Sequence, residues 1–178
     1  RIHCWWGDER FVPAADGDRN ALQAREALLD HVGIPAEHVH ELPASDAGLD
    51  LDAAAAAATA ELGSRALDLV LLGMGPDAHV ASLFPGHDGT DVDGVGVIAV
   101  RDSPKPPPER LSLTFDALNR ATRVWLVVAG DDKASALALA MSTADRHEVP
   151  AAGVHGTRET RYLVDRAAAS LLPDGMLD

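Results

Sequence analysis

The chain has 178 residues, of which 47% are hydrophobic and 24% charged, and its formal net charge is −13 at pH 7. The negative charge argues against nucleic acid as a partner, no apolar run approaches the roughly 20 residues that cross a bilayer, and Cys4 has no second cysteine to pair with. We therefore expect one cytoplasmic domain, residues 1–178, with neither a nucleic-acid nor a membrane partner.

The chain opens on a strand candidate. Residues 1–6, RIHCWW, are apolar and end at a glycine. Because the chain starts inside this element without a Met, we expect an N-terminal portion to be missing. After a polar loop, Asn20 is a candidate N-cap for a helix running to about Val32. The residues on one face of that helix are Ala21, Ala24, Leu28 and Val32.

The later elements alternate between strand and helix. A short strand near Val39 precedes a helix over 51–66, whose six consecutive alanines favour helix. The run RALDLVLLG does not alternate, which predicts a strand buried on both faces, and a helical turn is expected over 81–84. The remaining elements are strands in GVGVIAV and RVWLVVAG, a helix in DKASALALAM, a strand at 162–164 and a last helix. This order predicts an α/β fold, a Rossmann-like parallel sheet covered by helices on both faces.

Polar side chains follow two of the predicted strands. In parallel sheets, ligands bind beyond the carboxyl ends of the strands. Asp8 and Arg10 follow WWG, and Asp77 and His79 follow LLG. The sequence therefore predicts a site built from these two strand ends.

Asp77 and His79 lie in the turn GMGPDAH. A neutral histidine can accept a proton, and a nearby carboxylate can orient it and stabilise the imidazolium. Gly75 would let backbone N–H groups approach a reacting carbonyl, and the helical turn after His79 would add an oxyanion-stabilising dipole. The alternative is an ordinary loop histidine beside an Asx turn at Asp77.

Three cations are candidates for binding an anion. Arg10 offers a bidentate grip on phosphate or carboxylate, with solvated local ion pairs as the alternative. The stiff segment SPKPPPER carries Lys105 and Arg110, and it either positions Lys105 at the sheet edge or is an edge loop without a role.

Metal and covalent chemistry are not expected. The histidines, including His38 and His40, form no compact ligand pattern. Ser82 lacks a G-x-S-x-G context, Cys4 lies inside a strand, and dinucleotide and P-loop fingerprints are absent. We expect no metal and no cofactor.

Taken together, the motifs carry a resemblance that covers nearly the whole chain. WWGDERFVP, DLVLLGMGPDAHVASLFPGH, DSPKPPPERLSLT, AGDDKA and VPAAGV occur in the order seen in bacterial 6-phosphogluconolactonases. The resemblance implies a fold shared with glucosamine-6-phosphate deaminase and ribose-5-phosphate isomerase. It also implies metal-independent hydrolysis of a phosphosugar lactone, 6-phospho-glucono-1,5-lactone, to 6-phosphogluconate, and we expect a monomer.

The resemblance also implies a role for each site residue. His79 would be the general base that activates water, with Asp77 and Asp8 supporting it or ordering the site. Arg10 and Lys105 would hold the phosphate. Arg110 would support the phosphate-binding residues without contacting the substrate itself, and Gly75 would approach the substrate.

The chain departs from the family pattern at three points. Ala78 replaces a usual glycine, and a positive φ there would cost about 1–2 kcal/mol. Val80 replaces a usual threonine, which removes a hydroxyl beside the base. The third departure is the N-terminal portion carrying a Gly/Ser-rich sugar-phosphate loop, which this sequence does not contain.

Two other functions remain open. One is a sugar-phosphate deaminase or isomerase of the same fold, although Ser82 to Pro85 and Arg10 favour the lactonase. The other is a non-catalytic sugar-phosphate-binding domain.

Overall fold

The computed structural model describes residues 2–173 and 175–176. They form two compact units: residues up to Ser64 together with Gly96–Leu113, and Arg65–Val95 together with the residues from Thr114 onward. The prediction of a single domain over 1–178 stays a prediction.

The first unit contains two small sheets. Strand β1 (Cys4–Trp5) pairs in parallel with β3 (Val39–His40). The other sheet is antiparallel, with β6 at its centre between its two partners. Its strands are β2 (Asp8–Arg10), β5 (Val97–Val100) and β6 (Arg110–Leu113). This antiparallel sheet was not predicted, and it places β2, which carries Asp8 and Arg10, beside Arg110 on β6.

Two helices complete the first unit: α1 (Asn20–Ala27) and α2 (Leu51–Leu62). Helix α2 begins where the Asp50 carboxylate accepts the N–H of Ala53 at 2.8 Å, and it ends at Gly63, which has φ +56°. Thr59 bonds both the N–H and the carbonyl of Val97, so the alanine-rich helix is fixed on β5.

The second unit is built on a parallel sheet of β4 (Leu69–Gly73), β7 (Arg123–Val128) and β8 (Glu159–Val164), with β7 in the middle. Helix α3 (Phe115–Asn119), capped by Thr114, was not predicted, and α4 (Ala134–Ala140) follows a 3₁₀ turn at Asp131–Lys133. The predicted α/β class with parallel strands and helices is confirmed. No helix among the described residues is long and apolar enough to cross a membrane.

Four local predictions were wrong. Helix α1 ends at Ala27, and Leu28 and Val32 are exposed. Strand β4 alternates, with Leu71 62% exposed and Leu72 5%, so only one face of it is buried. Residues 81–84 form a turn closed by a Val80–Leu83 bridge, not a helical turn. In place of the last helix, the described residues contain a 3₁₀ turn at Ala168–Leu171.

Candidate active site

The turn that follows β4 brings Asp77 and His79 into direct contact. Nδ1 of His79 lies 2.5 Å from Oδ1 of Asp77, and the histidine side chain is 18% exposed. An ionised carboxylate only accepts hydrogen bonds, so Nδ1 carries the proton and donates it to Asp77. In a neutral imidazole this leaves the lone pair on Nε2, which is the tautomer that a general base needs.

Gly75 makes this pair possible. A Cβ added at Gly75 would overlap the Nδ1 and Cε1 atoms of His79 and the Oδ1 atom of Asp77. The Gly75 N–H donates to the carbonyl of His79 at 3.0 Å, so this N–H, which we expected to approach a reacting carbonyl, bonds within the turn. The glycine therefore gives the two side chains the space in which they meet.

The rest of the turn contains two residues with strained backbone and is hydrogen-bonded to a neighbouring loop. Ala78 has φ +64° and Ala81 has φ +49°, both in the left-handed region. The Ala78 carbonyl accepts the N–H of Ala151 at 2.9 Å, and the ring of Phe84 lies 4.8 Å from that of His79. Because 81–84 form no helical turn, no helix dipole is available there to stabilise an oxyanion.

In the first unit, Asn20 links Asp8 to Arg10. The Asn20 amide donates to the Asp8 carbonyl at 3.0 Å and to its carboxylate at 3.3 Å. Its oxygen accepts a short hydrogen bond from Nη1 of Arg10, which also donates to the Asp18 carbonyl at 3.1 Å. Nε of Arg10 is buried and has no hydrogen-bond partner among the described residues. Asn20 thus orients the guanidinium, a role that sequence reasoning missed.

Glu9 supplies the cap that was predicted for Asn20. The N-cap position is Arg19, which makes no side-chain cap, while the Glu9 carboxylate accepts the N–H groups of Asn20 and Ala21 at 2.7 and 2.8 Å. Glu9 also lies 3.7 Å from the Arg19 guanidinium, and both side chains are almost fully buried. Burial raises the pKa of Glu9, although the backbone N–H groups and Arg19 act in the opposite direction. In the sequence, only the alternation of side chains along β2, which directs Glu9 into the interior, could have indicated this role.

Arg110 organises the loop that carries Lys105. Its guanidinium donates to the carbonyls of Lys105, Pro106 and Pro107 at 3.0, 3.0 and 3.1 Å. Arg110 is the cross-strand partner of Arg10, and burial, followed by the charge of Arg10, lowers the pKa of Arg110. Arg10, Arg110 and the Lys105 loop therefore belong to one cationic region of the first unit.

The site residues thus form two groups, one in each unit. Asp77, His79 and Gly75 are in contact in the second unit, and Asp8, Arg10, Arg110 and the Lys105 loop are connected through β2 and β6 in the first. Within residues 2–173, 175 and 176, no group of three or more His, Cys, Asp or Glu side chains is arranged to hold a metal ion.

Comparison with known proteins gives a consistent result. The family described as glucosamine-6-phosphate isomerases/6-phosphogluconolactonase matches residues 1–163. The chain is 49% identical over 185 residues to 6-phosphogluconolactonase of Streptomyces coelicolor, a match that spans 97% of this chain and 71% of that protein. It is 50% identical over 183 residues to 6-phosphogluconolactonase of Mycobacterium tuberculosis, spanning 97% of this chain and 74% of the relative.

Solved structures agree with the sequence relatives. The crystal structure of 6-phosphogluconolactonase from Thermotoga maritima matches with a TM-score of 0.82 at 32% identity. That match covers 92% of this chain and 72% of the Thermotoga chain.

Proposed function

This chain belongs to the family of glucosamine-6-phosphate isomerases and 6-phosphogluconolactonases, and from that premise we propose which residues carry out its reaction. The chain is a lactone hydrolase that converts 6-phosphogluconolactone to 6-phosphogluconate in the pentose phosphate pathway. The assignment of its general base rests on the Asp77–His79 pair, in which Nδ1 of His79 lies 2.5 Å from Oδ1 of Asp77. The two side chains meet at Gly75, where a Cβ atom would overlap both of them.

His79 is the general base of the proposed mechanism. Its Nε2 takes a proton from water as the water oxygen attacks the lactone carbonyl, and Asp77 stabilises the imidazolium that forms. The tetrahedral intermediate then collapses with cleavage of the ring C–O bond, and the proton on His79 passes to the departing alkoxide. A lactone is an activated ester, so a positioned water and base, worth about 10²–10⁴-fold in rate, suffice without a metal.

Arg10 and Lys105 hold the phosphate of the substrate in this proposal. The buried Nε of Arg10, which has no partner among the described residues, supports an anion as its ligand. Asp8 acts through Asn20 to fix Arg10, and Arg110 fixes the carbonyls of the Lys105 loop. The chain has a net charge of −13, which repels a phosphate. Binding of the phosphate therefore requires a local cluster of cations such as this one.

The test is hydrolysis of freshly generated 6-phosphogluconolactone with the spontaneous rate subtracted. His79→Asn should fold normally and lose about 10²–10⁴-fold in kcat, while EDTA should leave the wild type unchanged. His155→Asn is the matched control, because His155 is exposed and only its backbone N–H makes a described hydrogen bond. Equal kcat for wild type and His79→Asn would remove the general-base assignment.

The same preparation separates the two other functions. Release of ammonia from glucosamine 6-phosphate would identify a deaminase. Binding of 6-phosphogluconate with no turnover above background would identify a sugar-phosphate-binding domain. We also propose a monomer located in the cytoplasm, which light scattering after size exclusion and cell fractionation would test.

A further inference from the structure

His147 lies between two loops that flank the catalytic turn. Its Nε2 is 2.7 Å from Oδ1 of Asp91, and its Nδ1 is 3.0 Å from the hydroxyl oxygen of Thr90. The Thr90 hydroxyl is also 2.7 Å from the carbonyl oxygen of His87. Both ring nitrogens of His147 therefore have partners on the segment 87–91.

The donors and acceptors around this ring fix its protons. The His87 carbonyl can only accept, so the single hydroxyl hydrogen of Thr90 points to it and the Thr90 oxygen accepts from Nδ1 of His147. The ionised carboxylate of Asp91 can also only accept, so Nε2 carries a proton too. His147 with protons on both nitrogens is an imidazolium. A neutral ring would have to give up one of these three hydrogen bonds.

Charged and titratable residues lie on both loops beside His147. The Asp145 carboxylate accepts the backbone N–H of His147 at 2.8 Å, and Arg146 is paired with Asp93 at 3.3 Å. The charged or titratable residues on the two loops are His87, Asp88, Asp91, Asp93, Asp145, Arg146 and Glu148. Five of these seven are carboxylates.

Backbone hydrogen bonds connect these loops to the turn that carries His79. The His147 carbonyl accepts the N–H of Gly86 at 2.8 Å, and the Ala151 N–H donates to the carbonyl of Ala78 at 2.9 Å. Ala78 lies between Asp77 and His79 in sequence. The ring of Phe84 lies 4.8 Å from the ring of His79 and 5.8 Å from that of His87.

We infer that His147, as an imidazolium bound by Thr90 and Asp91, is a positioning residue for lactone hydrolysis that keeps His79 and Asp77 in their reactive geometry. The inference rests on the proposed role of His79. His147 does not touch the substrate; it acts by holding 145–151 against 84–91. Loss of these hydrogen bonds loosens both loops, so kcat should fall while KM changes little.

The activity test measures kcat and KM in four variants and one control. Thr90→Val and His147→Gln should lower kcat by about 10-fold to 100-fold, the scale of a misplaced catalytic group. Thr90→Ser keeps the hydroxyl and should retain wild-type kcat. Asp91→Asn keeps an acceptor for Nε2 of His147 and should lower kcat less than His147→Gln does. The exposed-site control His155→Gln should match the wild type.

A second readout does not depend on activity. Nitrogen-15 chemical shifts of the His147 ring should show both nitrogens protonated and hydrogen-bonded, and Thr90→Val should change the shift of Nδ1 more than that of Nε2. A neutral ring in the wild type would overturn the proposal, as would wild-type kcat in both His147→Gln and Thr90→Val. If the wild type has no lactonase activity while the ring is doubly protonated, the proposed function fails and the positioning role fails with it, but the bound imidazolium stands.

Discussion

Ala78 occupies a backbone conformation that favours glycine. Its φ of +64° places an L-residue in the left-handed region, at a cost of about 1–2 kcal/mol. The Ala78 side chain is buried, and its N–H and carbonyl are both bonded, to Gly75 and Ala151. The hydrogen bonds of the turn therefore hold this residue in a conformation that it would not adopt alone.

Replacing this alanine by glycine should stabilise the turn. We expect Ala78→Gly to raise the free energy of unfolding by up to about 1 kcal/mol, because relief of strain exceeds the added chain entropy of glycine. Urea denaturation measures the change, with Ala81→Gly (φ +49°) as a second site of the same kind. A loss of stability in Ala78→Gly would show that the buried methyl group contributes more than the strain costs.

The role that we propose for Arg10 differs from that of His79. Since its proposed contact is with the phosphate, which does not react, Arg10→Ala should raise KM while kcat falls much less. Arg10→Lys should recover part of the affinity, because an ammonium keeps the charge without the bidentate grip. Steady-state kinetics with varied substrate measure both effects. If the loss lies mainly in kcat, Arg10 contacts the reacting centre and the assignment to the phosphate is wrong.

At the scale of elements, Asp165 joins the ends of two strands. It follows β8, and its carboxylate accepts the N–H of Gly130, just after β7, at 3.1 Å and the N–H of Ala168 at 2.7 Å. These hydrogen bonds, the one from Ala168 first, lower the pKa of Asp165 below its usual 3.8. Because the pKa of Asp165 is lower in the folded chain than in the unfolded chain, the ionised carboxylate stabilises the fold.

This linkage gives Asp165 a defined pH dependence. Its contribution should be fully present above the unfolded pKa near 3.8 and should be lost as the pH falls through the lower folded value. We expect Asp165→Asn to lower the melting temperature at neutral pH, with the difference from wild type shrinking below about pH 4. Melting curves at several pH values measure this difference. Asp46→Asn is the control, and its effect should be smaller because the Asp46 carboxylate accepts one N–H, at 3.0 Å. A difference that does not change with pH would contradict the role of the charge.

At the scale of the whole molecule, one face of the parallel sheet carries a group of exposed apolar side chains. Leu69, Leu71, Val127 and Leu163 lie on β4, β7 and β8 and are between 40% and 62% exposed. They alternate with Val70, Leu72 and Leu126, which are almost fully buried. Exposed apolar side chains grouped on one face of a sheet can bind apolar probes, and Arg123 and Arg161 lie on the same face.

We expect the chain as given to bind the dye ANS through this face. Leu71→Thr should reduce ANS fluorescence and leave the free energy of unfolding within about 0.5 kcal/mol, because the leucine is already 62% exposed. The matched control is Leu72→Thr, a buried neighbour on the same strand, which should instead destabilise the fold by about 2–4 kcal/mol. Unchanged fluorescence in Leu71→Thr would place dye binding elsewhere.

The sequence by itself determined the fold class and the chemistry of the turn. Apolar runs separated by helical segments indicate parallel strands, as found for β4, β7 and β8, and an Asp and a His two residues apart in one turn are near enough to form a hydrogen bond. The motif around Asp77 and His79, supported by the motifs around Arg10 and Lys105, indicated the family. All of these depend on residues close together in the chain.

Only the tertiary structure decided the features that depend on distant residues. Glu9 caps a helix that begins 11 positions later, β2 pairs with β6 across about a hundred residues, and His147 meets Thr90 and Asp91 from another loop. The two faces of β4 differ in exposure because neighbouring elements cover only one of them. The apolar run in the sequence gives no sign of this difference. Periodicity and spacing describe local conformation, whereas hydrogen-bond partners and burial are set by where the rest of the chain lies.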